Sequence, residues 1–201
     1  MRRKAAKCVP LPLALHPPPS PRFYSKEYPY SLEKINSFEL KQLKRVGDTM
    51  DTNRCFLIGH RQTEEGLYRP LYTAIERHIV EKGVTKFWVG HHGGFDRLAA
   101  RVLRDVKQRY PSIRLFLLLA YHPAVQAVAL PAGFDGLFYP PGLETVPKRF
   151  AIVRANRYAV QHSRYLIAYV WQITGNSAAL VRYARTKKDP PGITILPTSA
   201  S

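Results

Sequence analysis

The chain has 201 residues, of which 45% are hydrophobic, and a formal net charge of +17. This length and composition predict one well-packed domain of ordinary size. No apolar run approaches the roughly 18 residues that a membrane-spanning helix needs, so we expect no membrane association. The two cysteines, Cys8 and Cys55, do not indicate a disulfide framework, and we therefore expect a reducing, cytoplasmic location.

The positive charge extends over the whole chain. Residues 1–50 contain ten Lys or Arg and four Asp or Glu, which gives a net charge of +6. Residues 51–201 contain twenty-one Lys or Arg and ten Asp or Glu, which gives a net charge of +11. A basic surface favours anionic partners such as nucleotides, nucleic acid or acidic lipid. The same charge also promotes solubility, so charge alone does not distinguish these functions.

Residues 1–50 have the composition of a basic, proline-rich, disordered extension. Their prolines are concentrated between Pro10 and Pro21, where they prevent helices and inner strands. The apolar residues from Ser31 to Arg45 have the spacing of a short helix. We expect the compact domain to begin near Met50 and to comprise residues 51–201.

From Arg54 onward, strand patterns alternate with helix patterns. Short apolar runs predict strands, and apolar residues three to four positions apart predict helices. The predicted strands are 55–58, 87–89, 114–120, 136–139, 165–171 and 193–196. The predicted helices are 70–82, 97–110, 124–128, 148–162 and 177–187. This alternation predicts an α/β fold, namely a three-layer Rossmann-like domain whose mainly parallel sheet is flanked by helices.

The segment Phe87–Asp96 (FWVGHHGGFD) combines a strand, a glycine turn and the start of a helix. In a parallel α/β sheet such a turn lies at the carboxyl end of the strand, where ligands bind. Gly93 and Gly94 allow backbone N–H groups to approach a phosphate, which the positive end of the helix also attracts. Alternatively, the glycines only permit a sharp turn, and Asp96 only caps the helix.

Two other strand ends carry comparable polar loops. Gly59-His60-Arg61 follows the first strand, and Thr174-Gly175-Asn176-Ser177 follows the fifth. Parallel strands bring all three loops to one edge of the sheet, where their N–H groups can bind a phosphate. Arg61 and the cations near the fourth helix, Arg149 among them, would add positive charge.

The histidines raise the question of a metal site, since His60, His91, His92 and His122 all fall near predicted strand ends. Zinc needs three or four ligands that converge from separate loops. Adjacent histidines point apart in an extended chain, so we expect no metal site and no cofactor. Cys55 lies within a strand, which indicates an inert core residue.

Four motifs together resemble the SLOG superfamily of Rossmann-like nucleotide-binding proteins. They are GHR after the first strand, HHGGFD after the second, PKRFAI at a helix start and TGN before the last helix. The superfamily includes the DNA-processing protein A group and the LONELY GUY-type phosphoribohydrolases, and the chain is most similar to small bacterial members with GHR and GGFD motifs. The resemblance covers residues 54–196. It implies a nucleotide-binding domain, a sensor or carrier, that often forms homodimers through its helices.

The chain also departs from the phosphoribohydrolase pattern, whose loop is Pro-Gly-Gly-x-Gly-Thr-x-x-Glu. Gly175 matches the first glycine of that loop, but Arg182 stands where the catalytic glutamate is expected, and an arginine cannot act as a base. The closer relatives carry an Arg-Asn pair in the helix before the fifth strand. Here Asn156 matches the asparagine, and Ala155 replaces the arginine. These departures favour binding over hydrolysis.

We therefore predict that the domain binds a nucleotide or a nucleotide-derived molecule. One alternative is an enzyme that hydrolyses the N-glycosidic or phosphoribosyl bond of nucleoside monophosphates, with Asp96 as the catalytic acid or base. Another is a nucleic-acid-binding domain, which the charge favours although no helix-turn-helix or aromatic platform is present. The predicted ligand-binding residues are Gly59, His60, Arg61, Gly90, Gly93, Gly94, Phe95, Asp96, Arg149, Asn156, Gly175, Asn176 and Ser177.

Overall fold

The structure, a computed structural model, describes residues 53–198, with the side chain of Glu65 excepted. The predicted extension over residues 1–50 and the predicted helix over residues 31–45 lie outside the described residues.

Six strands form a single parallel sheet. They are β1 (Arg54–Gly59), β2 (Lys86–Val89), β3 (Arg114–Leu118), β4 (Gly136–Phe138), β5 (Tyr165–Tyr169) and β6 (Gly192–Ile195). Their order across the sheet is β4-β3-β2-β1-β5-β6, and every neighbouring pair is parallel. Both edge strands are short, with three residues in β4 and four in β6. All six predicted strands are present, and the predicted α/β class is confirmed.

Four helices of the described residues cover the sheet. They are α1 (Tyr68–Val80), α2 (Gly94–Arg109), α3 (Lys148–Gln161) and α4 (Gly175–Arg185). A 3₁₀ turn over Glu65–Leu67 precedes α1, which begins two residues before the predicted start at Pro70. Among the described residues, no helix is long and apolar enough to cross a membrane.

The predicted helix at 124–128 is wrong. The chain makes a single turn there, in which the carbonyl of His122 accepts the N–H groups of Val125 and Gln126. The side chain of Val125 is 63% exposed. A helix this short needs an apolar face packed against the protein, and in this segment only Val128 packs against the core, while residues 124–127 are exposed.

The two faces of the sheet carry separate apolar cores. Successive side chains of β1 alternate between them: Cys55 and Leu57 pack beneath α1 and α2, while Phe56 and Ile58 pack beneath α3 and α4. This confirms the three-layer arrangement. Burial raises the pKa of the Cys55 thiol, in agreement with the prediction of an inert core residue.

The order of the strands reverses between β1 and β5, which places a crevice at their carboxyl ends. Two hydrogen bonds join the chain across this crevice. The hydroxyl of Ser177 donates to the carbonyl of Gly59 at 2.7 Å, and the N–H of His60 donates to the carbonyl of Tyr169 at 3.1 Å. The start of α4 is thereby fixed to the end of β1.

Gly59 is a packing constraint, because a Cβ there would overlap the fully buried ring of Phe95. We expect Gly59→Ala to lower the free energy of unfolding by about 1–3 kcal/mol, the usual cost of overpacking a core. Urea denaturation monitored by circular dichroism measures this change.

The matched control is Gly66→Ala, since no atom lies within 4 Å of a Cβ built at Gly66. We expect this variant to be unchanged, or more stable by up to about 1 kcal/mol because the unfolded chain loses entropy. Equal stability of the two variants would show that Phe95 can move aside at no cost.

Candidate functional site

A cleft of about 250 Å³ opens at the carboxyl ends of β1, β2 and β3, between α3 and the start of α4. Its polar residues include Arg61, His92, Asp96, Asn156 and Asn176. Its apolar wall consists of Phe56, Ile58, Leu118, Ala120, Ile152 and Ala155. The three predicted loops therefore meet at one site, as their positions after parallel strands require.

The N–H groups that lead into α2 already have hydrogen-bond acceptors within the protein. The carboxylate of Asp96 accepts hydrogen bonds from the backbone N–H groups of His92, at 2.9 Å, and of Gly93. The N–H of Gly94 donates to the carbonyl of Arg61 at 2.8 Å. The N–H groups expected to bind phosphate at Gly93 and Gly94 thus already have acceptors. This corrects the predicted phosphate site, although Gly93 still lines the cleft.

The glycines of this loop have packing roles. A Cβ at Gly90 would lie 2.8 Å from Oδ2 of Asp96, and one at Gly94 would collide with the carbonyl oxygen of Arg61. Gly90 therefore leaves room for the carboxylate, and Gly94 lets the loop after β1 lie against α2. The alternative interpretation, in which the glycines permit a turn and Asp96 caps the helix, describes this loop best.

Asp96 nevertheless lines the cleft with an unusual carboxyl group. Burial raises its pKa to about 6, against the opposing effects of the His92 and Gly93 N–H groups and the charge of Arg97. A carboxyl with such a pKa exchanges its proton close to neutral pH. Asp96 is therefore both a helix cap and a candidate acid or base.

His91 and His92 lie ring against ring, with centroids 3.9 Å apart. The prediction that they point apart is wrong, because residues 91–93 bend into the start of α2 and do not continue the strand. Burial lowers the pKa of both, that of His92 to about 4, so both rings are neutral at pH 7. Their Nε2 atoms are buried without a hydrogen-bond partner. Across the described residues, no group of three His, Cys, Asp or Glu side chains could hold a metal ion.

His60 connects the loops after β1 and β5. Its Nδ1 accepts the N–H of Trp171 at 3.2 Å, and its Nε2–H donates to the carbonyl of Thr174 at 3.3 Å. These two partners require the neutral ring with its proton on Nε2. His60 lines the cleft, but both of its nitrogens are occupied, so it positions the start of α4.

The start of α4 is open to the cleft. Its first residue, Gly175, has a φ of +88°, which favours glycine, and no side chain caps the helix. Its first turn carries no acidic residue, and within the described part of the chain no acceptor is recorded for the N–H groups of Asn176 and Ser177. Both residues line the cleft. This helix start therefore presents unpaired donors and a positive dipole end to a ligand.

The remaining predicted residues lie outside the cleft. Phe95 belongs to the core, where its ring stacks on Tyr169 at 6.1 Å between centroids. The guanidinium of Arg149 lies over the exposed ring of Phe150. Arg182 does not line the cleft either, because it donates to the carbonyl of Ile173 at 2.7 Å on the other side of the α4 start.

Sequence reasoning missed the apolar wall of the cleft. Two patterns could have located it. Phe56 and Ile58 alternate on the face of β1 that α3 covers, and Ile152, Ala155 and Asn156 have helical spacing on one side of α3. The small side chain of Ala155 forms part of this wall.

Comparison with protein-family models and with curated proteins finds no match for the chain. Function is therefore inferred from the cleft itself. Among the described residues, it combines an apolar wall, the cation of Arg61, the carboxyl of Asp96, neutral hydrogen-bonding side chains and the uncapped start of α4. These are the features of a site for a small anionic molecule that has an apolar part.

The raised pKa of Asp96 makes stability depend on pH. The folded state holds this proton more tightly than the unfolded state, so protonation of Asp96 stabilises the fold at low pH. This stabilisation is lost as the pH rises from about 4 through about 6. We expect the unfolding free energy of Asp96→Asn, relative to the parent, to rise over this interval by on the order of 2–3 kcal/mol. Urea denaturation at intervals between about pH 4 and pH 7 measures it.

Asp189→Asn is the control, because it removes an exposed carboxyl outside the site. Comparison with the parent at each pH also cancels the pH dependence that other groups contribute to stability. His92 is one of these groups, and its lowered pKa makes stability change with pH in the opposite direction to Asp96. Identical pH profiles for the two variants would contradict the assignment of a raised pKa to Asp96.

Proposed function

We propose that the chain binds a nucleotide or a nucleotide-derived molecule, with a phosphate group at the start of α4. The observation that carries this proposal is the pair of unpaired N–H groups at Asn176 and Ser177, at the point where the strand order reverses. A helix start of this kind attracts phosphate through both its donors and its dipole. Arg61, on the wall of the same cleft, adds a guanidinium that can bind phosphate oxygens.

The apolar wall suits the base of such a ligand. Ile58 and Leu118 come from the sheet, and Ile152 comes from α3, so apolar surfaces meet from two layers. At about 250 Å³, the cleft is smaller than the roughly 300–1,000 Å³ of pockets for drug-sized ligands. A single nucleoside unit fits this size better than a dinucleotide.

Hydrogen-bonding side chains can select the base or the ribose. The amide of Asn156 offers a donor and an acceptor on the wall formed by α3. The neutral ring of His92 lies in the same cleft, with an Nε2 atom that has no partner. Because this nitrogen is buried, a ligand can supply the missing hydrogen bond, which would be favourable, only if the ring turns towards the cleft.

Membership of the SLOG superfamily, and a role as a sensor or carrier, belong to the same proposal. The motif resemblance and the Rossmann-like fold support it, because GHR, GGFD and TGN all border the cleft. The open helix start is that of the TGN loop, and the GGFD loop shapes the cleft without offering its first N–H groups to the ligand.

Hydrolysis of a nucleoside monophosphate is the second candidate, favoured by the pKa of about 6 at Asp96. Two observations weigh against it. Arg182 takes the place of the expected glutamate, and Asp96 is the one carboxylate among the described residues that line the cleft. Moreover, the backbone N–H groups of His92 and Gly93 donate hydrogen bonds to the Asp96 carboxylate. These bonds hold the carboxylate in place as a helix cap.

The phosphate site can be tested with Asn176→Asp. The new carboxylate would repel a phosphate and compete for the N–H groups, while its position in the first helical turn favours the fold by roughly 0.3–1 kcal/mol. We expect affinity to fall at least tenfold, about 1.4 kcal/mol, with no loss of stability. Calorimetric titration with the 5′-monophosphates of adenosine, guanosine, cytidine and uridine measures binding.

Gln172→Glu is the matched control, because it adds the same charge to the loop before α4 but outside the cleft. We expect its affinity to stay within about threefold of the parent, since surface charge alone has a small, salt-screened effect. Equal losses in both variants would mean that only overall charge matters. Unchanged binding by Asn176→Asp would place the phosphate elsewhere.

The choice between binding and hydrolysis has its own assay. We expect no free base after long incubation of the four monophosphates with the protein, because the cleft lacks a second carboxylate. Chromatography of the mixture detects the base. Production of base that is lost in Asp96→Asn would establish the hydrolase and overturn a function limited to binding.

A further inference from the structure

A second, smaller groove lies between α3 and α4 and joins the cleft. Its volume is about 40 Å³, and Asn156 and Asn176 line both the groove and the cleft. The other residues that line it are Val153, Arg157, Ala179 and Leu180. The groove and the cleft therefore adjoin at these two side chains.

The groove lies on the side of the sheet that carries uncompensated positive charge. No Asp or Glu occurs between residues 145 and 188. The Lys and Arg residues in this interval are Lys148, Arg149, Arg154, Arg157, Arg164, Arg182, Arg185, Lys187 and Lys188. None of them forms an ion pair with a described carboxylate.

The opposite side of the sheet is different, because carboxylates in and next to α1 and α2 offset part of its positive charge and some of them form ion pairs. Arg109 lies 3.0 Å from Glu76, and Arg77 lies 3.4 Å from Glu81. The net charge of the chain is thus not spread evenly over its surface. The positive potential is expected to be highest on the α3–α4 side, which includes the groove.

Arg157 is held beside the groove. Its guanidinium lies 5.1 Å from the centroid of the Tyr183 ring, a cation–π distance, and it lines the groove. The ring is itself fixed, because Gln161 donates to its hydroxyl at 2.7 Å. Arg154, on the same helix, is exposed and lines neither the groove nor the cleft.

We propose that the groove is a second anion-binding subsite and that the ligand of this protein carries two phosphate groups. One phosphate lies at the start of α4, and the other lies in the groove between Asn156, Asn176 and Arg157. The inference rests on the proposed nucleotide-binding function and extends it. The groove holds several times the roughly 10–15 Å³ that one water-sized probe occupies, which suits a phosphate but not a base.

Two kinds of molecule supply this chemistry. In a nucleoside 5′-diphosphate the second phosphate is joined directly to the first, and in a nucleoside 3′,5′-bisphosphate the two phosphates are attached to the same ribose. The test uses both, next to the nucleoside 5′-monophosphates, in calorimetric titrations of the full chain at constant ionic strength. Each series is run with all four bases. We expect the parent to bind one of the two-phosphate ligands at least tenfold more tightly than the corresponding monophosphate.

Arg157→Gln removes the groove's cation and keeps a long polar side chain. We expect it to lose at least tenfold affinity for the two-phosphate ligand and to stay within twofold for the monophosphate. Arg154→Gln makes the same change in net charge on the same helix, and we expect it to bind both ligands like the parent. Circular dichroism and thermal melting confirm that both variants are folded.

The outcomes separate this inference from the proposed function. A parent that binds monophosphates and two-phosphate ligands equally well overturns the second subsite and leaves the cleft intact. Equal losses in Arg157→Gln and Arg154→Gln overturn it as well, since only general attraction would remain. A parent that binds none of the ligands overturns the nucleotide-binding function, and the second subsite with it.

Discussion

The carboxylate of Asp96 determines which helix start a ligand can reach. By accepting the N–H groups of His92 and Gly93, it closes α2 from within. This arrangement needs a residue without a side chain at Gly90, and the loop after β1 completes it through the hydrogen bond from Gly94 to Arg61. Because the N–H groups of His92, Gly93 and Gly94 already have acceptors, the N–H groups of Asn176 and Ser177 at the start of α4 are the better placed donors for a ligand in the cleft. The identity of the site follows from this asymmetry between two similar glycine loops.

The open helix start is held in place before any ligand arrives. The ring of His60 bridges Trp171 and Thr174, and the hydroxyl of Ser177 reaches the carbonyl of Gly59. Donors fixed in this way lose little conformational entropy when they bind an anion, which favours affinity. This arrangement constrains the sequence of β1, because Phe95 packs against its last residue and leaves room only for glycine.

The fold was largely predictable because its signals are local. Buried runs such as Leu115 and Leu117 in β3 alternate with amphipathic helices, and each pattern needs only a few neighbouring residues to be recognised. The helix expected at 124–128 failed because its stability depended on a packing surface that the fold does not provide there. The ends of the elements shifted by one to three residues for a similar reason, since strand pairing and capping are tertiary properties.

The site was only partly predictable. Sequence position brings GHR, GGFD and TGN to one edge of the sheet, and the structure brings these loops together. Sequence does not reveal which N–H groups are already bonded, because the acceptor of Gly94 is a carbonyl from a distant loop. It also does not show that the rings of His91 and His92 stack, or that Phe95 turns into the core. These details depend on how separate segments pack, and hence on the folded chain as a whole.

The short edge strands also bear on how copies of the chain could associate. Prolines adjoin both of them: Pro140 and Pro141 follow β4, while Pro190 and Pro191 precede β6 and Pro197 follows it. Proline has no N–H to donate, so a strand added at either edge would find few backbone partners before its ladder ended. A continuous intermolecular sheet through these two edges is therefore disfavoured.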